Sequence, residues 1–171
     1  GGRARGASFT VPLPPVVSTN NDELVAPIAS AAAVTELPRL DGMKVLLVDD
    51  DPDSLKLVGV ALGQCGATIL QAMSVAAAML HLEQSTPDVI ISDVAMPTQD
   101  GIDLVRQVRA RKDLTSKVPM VALTAYTSDD DRRRILAGGF NDYLAKPVAP
   151  LELMRVLAAL RNSGASPTAT V

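Results

Sequence analysis

Residues 45–52 read Val-Leu-Leu-Val-Asp-Asp-Asp-Pro. Four consecutive apolar residues suit a parallel strand covered on both faces, because neither side of such a strand meets water. The acids that end the run serve the next element: Asp51 or Asp53 can cap a helix that tolerates Pro52 in its first turn. That helix places Leu55, Val58, Leu62 and Cys65 on one face at helical spacing, and Gly63 and Gly66 loosen its end. The alternation then repeats. Thr68–Met73 reads as a second strand and Val75–Leu82 as an Ala-rich helix; Val89-Ile90-Ile91 is a third apolar run, with Ile102, Val105 and Val108 marking the helix after it. Met120-Val121-Ala122-Leu123 is a fourth strand, followed by a helix over Asp129–Ala137. Phe140–Ala145 is a fifth, and Leu151–Leu160 a closing amphipathic helix. Five strand–helix units in a row imply an α/β fold, a doubly wound parallel sheet with helices on both faces. Their number and size fit a flavodoxin-like (βα)5 arrangement with strand order 2-1-3-4-5.

Outside this pattern the composition changes. Residues 1–41 hold Pro12, Pro14, Pro15, Pro27 and Pro38 and an Ala31-Ala32-Ala33 run. They read as a linker apart from a short strand expected at Ala7–Leu13. Residues 42–163 form the expected domain, and 164–171 are small, polar and expected to fray. The 171 residues are 47% hydrophobic, with no Trp, two Tyr and two Phe, so the core must be aliphatic. A net charge of −3 gives no basis for binding nucleic acid or an anionic membrane. No apolar run approaches the roughly 20 residues of a bilayer span, and the proline-broken start does not read as a signal peptide. Cys65 is the single cysteine, which excludes an internal disulfide and fits a reducing, cytoplasmic setting. The chain does not begin with Met, which suggests a piece of something longer, whose parent protein could be membrane-anchored.

Four of the five strands stop at polar residues: the first at Asp49-Asp50, the third at Asp93, the fourth at Thr124, the fifth at Lys146. In an open parallel sheet, sites form outside the carboxyl ends of the strands where the order reverses, here between strands 1 and 3. Three carboxylates, a hydroxyl and an ammonium should therefore converge. Clustered carboxylates repel one another unless a cation sits among them. An all-oxygen ligand set with room for water suits Mg2+ (or Mn2+). With a cation present, Asp93 can stay ionised and attack phosphorus as a nucleophile. Lys146 and the Thr124 hydroxyl can then stabilise charge on the phosphoryl oxygens.

VLLVDDDP, IISDVAMPTQDG, ALTA and DYLAKP, in this order and spacing, resemble the signature of response-regulator receiver domains over about 120 residues. The resemblance implies a phosphoacceptor in two-component or phosphorelay signalling, with Asp93 accepting phosphoryl from a partner phosphohistidine. It implies metal binding by Asp50, Asp93 and the main-chain carbonyl of Ala95, with Asp49 acting through metal-bound water. It also implies switch roles for Thr124 and Tyr143, a cis Lys146–Pro147 bond, and a reshaped face of fourth helix, fifth strand and fifth helix on phosphorylation. The implied partners are a histidine kinase dimerisation domain, a histidine-phosphotransfer protein, or both. Such a domain is a signalling module and not a stand-alone enzyme, a monomer or weak dimer. Partner selection is expected to involve the first helix near Leu55 and Lys56.

Ala95, two residues past the acceptor, cannot position a water, and Tyr126, two past Thr124, is placed to shield the phosphoryl group; together they predict a long-lived phosphoaspartate. Residues 1–14, GGRARGASFTVPLP, resemble the closing strand of a histidine-kinase ATP-binding domain, which would make this the C-terminal receiver of a hybrid sensor histidine kinase. A Gly/Pro linker with a chance strand, in a free-standing single-domain regulator, is the alternative. A haloacid-dehalogenase-like phosphatase also uses Asp, Thr, Lys and Mg2+, but needs Thr where Asp53 stands and an acid pair where Glu152 is alone. The remaining residues suit ordinary structural roles: Asp51 and Asp53 as caps, His81 as surface, Cys65 as core, and Asp129–Arg134 as a capped, solvated helix start.

Overall fold

The computed structural model describes residues 38–125 and 128–162. In chain order they form β1 (Lys44–Val48), α1 (Pro52–Gln64), β2 (Thr68–Ala72), α2 (Val75–Gln84), β3 (Val89–Asp93) and α3 (Gly101–Ala110). A 3-10 turn at Leu114–Lys117, absent from the sequence reading, leads to β4 (Met120–Thr124), α4 (Asp129–Gly138), β5 (Asp142–Ala145) and α5 (Pro150–Asn162). The sheet is parallel throughout, in the order β2-β1-β3-β4-β5. The fold is the flavodoxin-like one that the alternation implies.

The strands alternate their side chains between two apolar layers, which is why β1 and β3 read as unbroken apolar runs. Leu46, Val48, Ile90 and Met120 pack on one side with Val75 and Leu82 of α2, Val105 of α3 and Ile135 of α4. Val45, Leu47, Ile91 and Val121 pack on the other with Leu55 and Leu62 of α1 and Leu153 and Leu157 of α5. Each fully buried Leu or Ile contributes about 1.5–3 kcal/mol. Cys65 lies in the second layer, its thiol 3.4 Å from the Met154 sulfur. Leu40 precedes the boundary at residue 42 expected from composition, yet it is completely buried in that layer, and its N–H donates to the Cys65 carbonyl at 2.7 Å.

The helix starts are fixed by side chains. Asp51 caps α1 by accepting from the Asp53 N–H at 3.1 Å, Ser74 caps α2, and Asp100 with Asp103 forms a reciprocal capping box on α3. Gly139, at φ 115°, closes α4 in the left-handed region that a side chain would strain.

Candidate phosphoacceptor site

Strand register delivers the polar strand ends to one place. Val48 pairs with Ser92, Asp93 with Leu123, and Thr124 with Ala145, so the residues just past β1 and β5 and the last residues of β3 and β4 lie at one rim of the sheet. Asp49 is held by its main chain, whose N–H donates to the Ala72 carbonyl at 3.1 Å. Lys146 is held likewise, donating its N–H to the Thr124 carbonyl at 2.8 Å. The Lys146–Pro147 peptide is cis.

At the rim the Lys146 ammonium donates to Asp93 Oδ2 at 2.7 Å and to Asp49 Oδ2 at 3.0 Å. Asp49 and Asp93 are 2% and 6% exposed, so these charges are shielded from water, and Thr124 is fully buried. The remaining oxygens are partly engaged. Asp93 Oδ1 accepts from the Ala95 N–H at 3.1 Å, and Asp49 Oδ1 from the Asp51 N–H at 2.9 Å. Burial works against the Lys146 charge, but its hydrogen bonds to Asp93 and Asp49 outweigh that and hold its pKa above the ordinary lysine value. Asp50 is the most open of the three acids. Asp49, Asp50 and Asp93 each offer a carboxylate oxygen, and these atoms lie within 4.8 Å of one another. Three carboxylates against one ammonium leave an excess of negative charge, and the all-oxygen donor set fits a hard divalent cation.

Gly101 explains why the loop after Asp93 closes so tightly. Its N–H donates to the Val94 carbonyl at 3.0 Å, and a Cβ there would stand 2.4 Å from the Asp93 carbonyl oxygen. No side chain fits that gap. Beside the acids, Ala95 and Thr124 line a cleft of about 360 Å3 whose far wall is α4, through Asp131, Arg134 and Ile135.

The other sequence-derived residues fall in distinct places. Tyr143, in β5, packs against the layer that holds Ile135 and Phe140, and the Arg132 guanidinium lies 5.4 Å from its ring centre. Tyr126 and residues 1–14 lie outside the described residues. Asp51 is a cap, as its position before Pro52 suggests. His81 Nε2 lies 3.1 Å from the Gln71 carbonyl, a contact within the domain. Of the two first-helix residues expected near the partner surface, Leu55 is 3% exposed because it faces the second core layer, whereas Lys56 is exposed. The outward apolar residues of α1 are Leu57 and Val60, at 70% and 55% exposure.

A network at the amino ends of β4 and β5 went unread in the sequence. Arg109, in the last turn of α3, donates to the carbonyls of Ser116 and Val118 at 2.8 Å, to that of Gly139 at 3.1 Å and to Asn141 Oδ1 at 2.8 Å. An arginine ending an amphipathic helix gives no sign in sequence that it will fold inward over a turn.

The comparisons with known proteins agree with this geometry. Residues 45–158 match the response regulator receiver domain family. The uncharacterized 14.6 kDa protein in the sodA1 3′ region of Leptolyngbya boryana is 44% identical over 115 residues, covering 67% of this chain and 87% of that protein. The sensor protein GacS of Pseudomonas syringae pv. syringae is 35% identical over 147 residues, covering 82% of this chain but only 16% of GacS. The chemotaxis response regulator CheY4 of Vibrio cholerae superposes with a TM-score of 0.65 at 32% identity, over 69% of this chain and 98% of that one. Among the described residues no helix is long and apolar enough to cross a membrane. With an acid cluster, a paired lysine and a 2-1-3-4-5 sheet already in place, the family match over most of the domain leaves one conclusion: the chain belongs to the response regulator receiver domains of two-component signalling.

Proposed function

We propose that this domain takes a phosphoryl group from a phosphohistidine onto Asp93. The observation that carries the reading is the meeting of Asp49, Asp93 and Lys146, from the ends of three different strands, at distances of 2.7 Å and 3.0 Å. Asp93 offers a carboxylate oxygen that forms the new P–O bond while the P–N bond to the donor imidazole breaks. The imidazole keeps the electron pair and takes up a proton. Lys146, charged at any physiological pH, compensates the charge on the transferring group, as Thr124 does through its hydroxyl at the β4 end. Asp50, Asp93 and the Ala95 carbonyl would hold Mg2+, with Asp49 reaching it through water; when bound, the ion would offset the negative charge of the carboxylates and of the phosphoryl oxygens. The site is a transfer station: Asp93 is regenerated when the group leaves, and the reading requires no bound organic cofactor.

Phosphorylation would add about −1.5 to −2 charges at the rim. Thr124 is then drawn toward the phosphoryl oxygens and Tyr143 turns inward, changing the α4–β5–α5 face that partners read. A sensor kinase as the parent is supported by the sensor protein GacS, whose similarity runs over 82% of this chain, and a hybrid one by the hybrid signal transduction histidine kinase D of Dictyostelium discoideum, 34% identical over 71% of it; the transcriptional regulator PhoB of Pseudomonas aeruginosa, matching 72%, keeps the free-standing regulator as the alternative. The donor is then the dimerisation domain of a histidine kinase or a histidine-phosphotransfer protein. Profiling transfer from radiolabelled phosphohistidine proteins tests this. Wild type takes label in the presence of Mg2+ and Asp93→Asn takes none; label retained by Asp93→Asn would refute the assignment.

A further inference from the structure

The helix that walls the cleft beside Asp93 carries three consecutive arginines, Arg132, Arg133 and Arg134, and the structure treats them differently. Arg132 stands 3.8 Å from Asp129 and covers the Tyr143 ring. Arg133 stands 3.5 Å from Asp130 along its own helix. Arg134 is exposed and lines the cleft with Ala95 and Thr124, and among the described residues no carboxylate or carbonyl engages its guanidinium. Both acids in that cleft are already committed. Asp131 meets the Ser128 hydroxyl at the start of α4, and Asp100 accepts from the Asp103 N–H at 2.9 Å in the capping box of α3. Arg134 thus lines the cleft beside Asp131 and Asp100, and among the described residues no ion pair holds its guanidinium there.

The rim itself is short of positive charge, since three carboxylates face one lysine before any phosphoryl group arrives. A guanidinium is the side chain best shaped to meet phosphoryl oxygens two at a time, and it keeps its charge at every relevant pH. Resting on the phosphoacceptor reading above, we propose that Arg134 is a second phosphoryl-binding cation: it draws the donor's phosphoryl group into the cleft and holds the aspartyl phosphate formed at Asp93. Lys146 contacts the group from the β5 side and Arg134 from the α4 side. The chemistry at Asp93 is unchanged; the acceptor oxygen still forms the P–O bond as the leaving group departs with its electron pair.

Loading of Asp93 by acetyl phosphate with Mg2+, followed at low and high salt, tests this without any partner protein. Arg134→Ala and Arg134→Gln are expected to load about 10-fold more slowly than wild type at low salt, and to release the phosphoryl group several-fold faster. The rate of each should depend less on salt than that of wild type, because exposed charges are screened. Arg134→Lys should recover part of the loss, and Arg133→Ala, whose arginine is paired outside the cleft, should behave as wild type. Loading of both Arg134 variants within twofold of wild type, with the same salt dependence, overturns the inference and leaves the Asp93 assignment standing. A folded wild type that takes no phosphoryl group at all overturns both.

Discussion

Two partly buried cations sit at opposite ends of the same sheet, and they are satisfied in opposite ways. Lys146, past the carboxyl end of β5, meets two carboxylates. Arg109, by the amino ends of β4 and β5, meets four neutral oxygens, three carbonyls and one side-chain amide. Asn141 completes that second arrangement, because its Oδ1 also accepts from the Met120 N–H at 2.8 Å and so ties the entry to β4. The electrostatic outcome differs accordingly. The carboxylates lift the Lys146 pKa despite burial, whereas burial, with no anion to offset it, pulls that of Arg109 down. A cation held by neutral dipoles closes a turn and has nothing to exchange. One held by two anions can exchange them for another anionic group.

That contrast can be broken in four places. The largest effect is expected from Lys146→Ala, which should slow Asp93 loading by roughly 100-fold, the scale of losing one positioned charge at a transferring group. The same substitution gives a pH signature. Since the folded pKa of Lys146 is raised above the ordinary lysine value, its contribution to stability is complete below that ordinary value and is lost as pH rises through the higher folded pKa. Alkaline unfolding curves should show that loss in wild type and lack it in Lys146→Ala.

Arg109→Ala is the complementary experiment. Stripping several partly buried acceptors of their donor should cost about 2–4 kcal/mol in urea unfolding, with the loading rate per folded molecule unchanged. A slow-loading but stable Arg109→Ala would erase the distinction between the two ends. Smaller again is Ala95→Asn, which gives the acceptor's neighbour an amide able to position water. It should shorten the phosphoaspartate lifetime several-fold at unchanged stability, and a wild-type lifetime of only seconds would contradict the expected slow hydrolysis. Tyr143→Ala should disturb loading least, leaving Asp93 phosphorylation nearly intact while phosphorylation-dependent partner binding weakens; equal loss of both would deny it a switch role.

Much of this was legible in the residues. The apolar runs at Val45–Val48 and Val89–Ile91 announce strands buried on both faces, because no soluble strand with one wet face can be apolar at every position. The polar residue closing each run marks the rim, because side chains at the carboxyl ends of parallel strands leave the core together. Asp49, Asp50, Asp93 and Lys146 could therefore be nominated from sequence alone. Leu55 shows where that reasoning misleads: a helix next to a site looks accessible, but which of its faces points outward depends on how it docks. Periodicity put Leu55 with Val58 and Leu62, and that stripe is the buried one.

What the chain dictated locally was the alternation of strand and helix, the cap at Asp51, and the list of groups whose chemistry suits phosphoryl transfer, since these follow from short-range sterics and residue chemistry. Tertiary structure alone decided which of those groups touch. It joined Lys146 to Asp49 across 97 residues and to Asp93 across 53. It gave Gly101 its place against the Asp93 carbonyl, folded Arg109 over two strand entries, and left Arg134 facing the cleft while Arg132 and Arg133 were paired elsewhere. The physical reason is that a long-range contact depends on register and helix orientation summed over the whole sheet, and no window of sequence contains that sum.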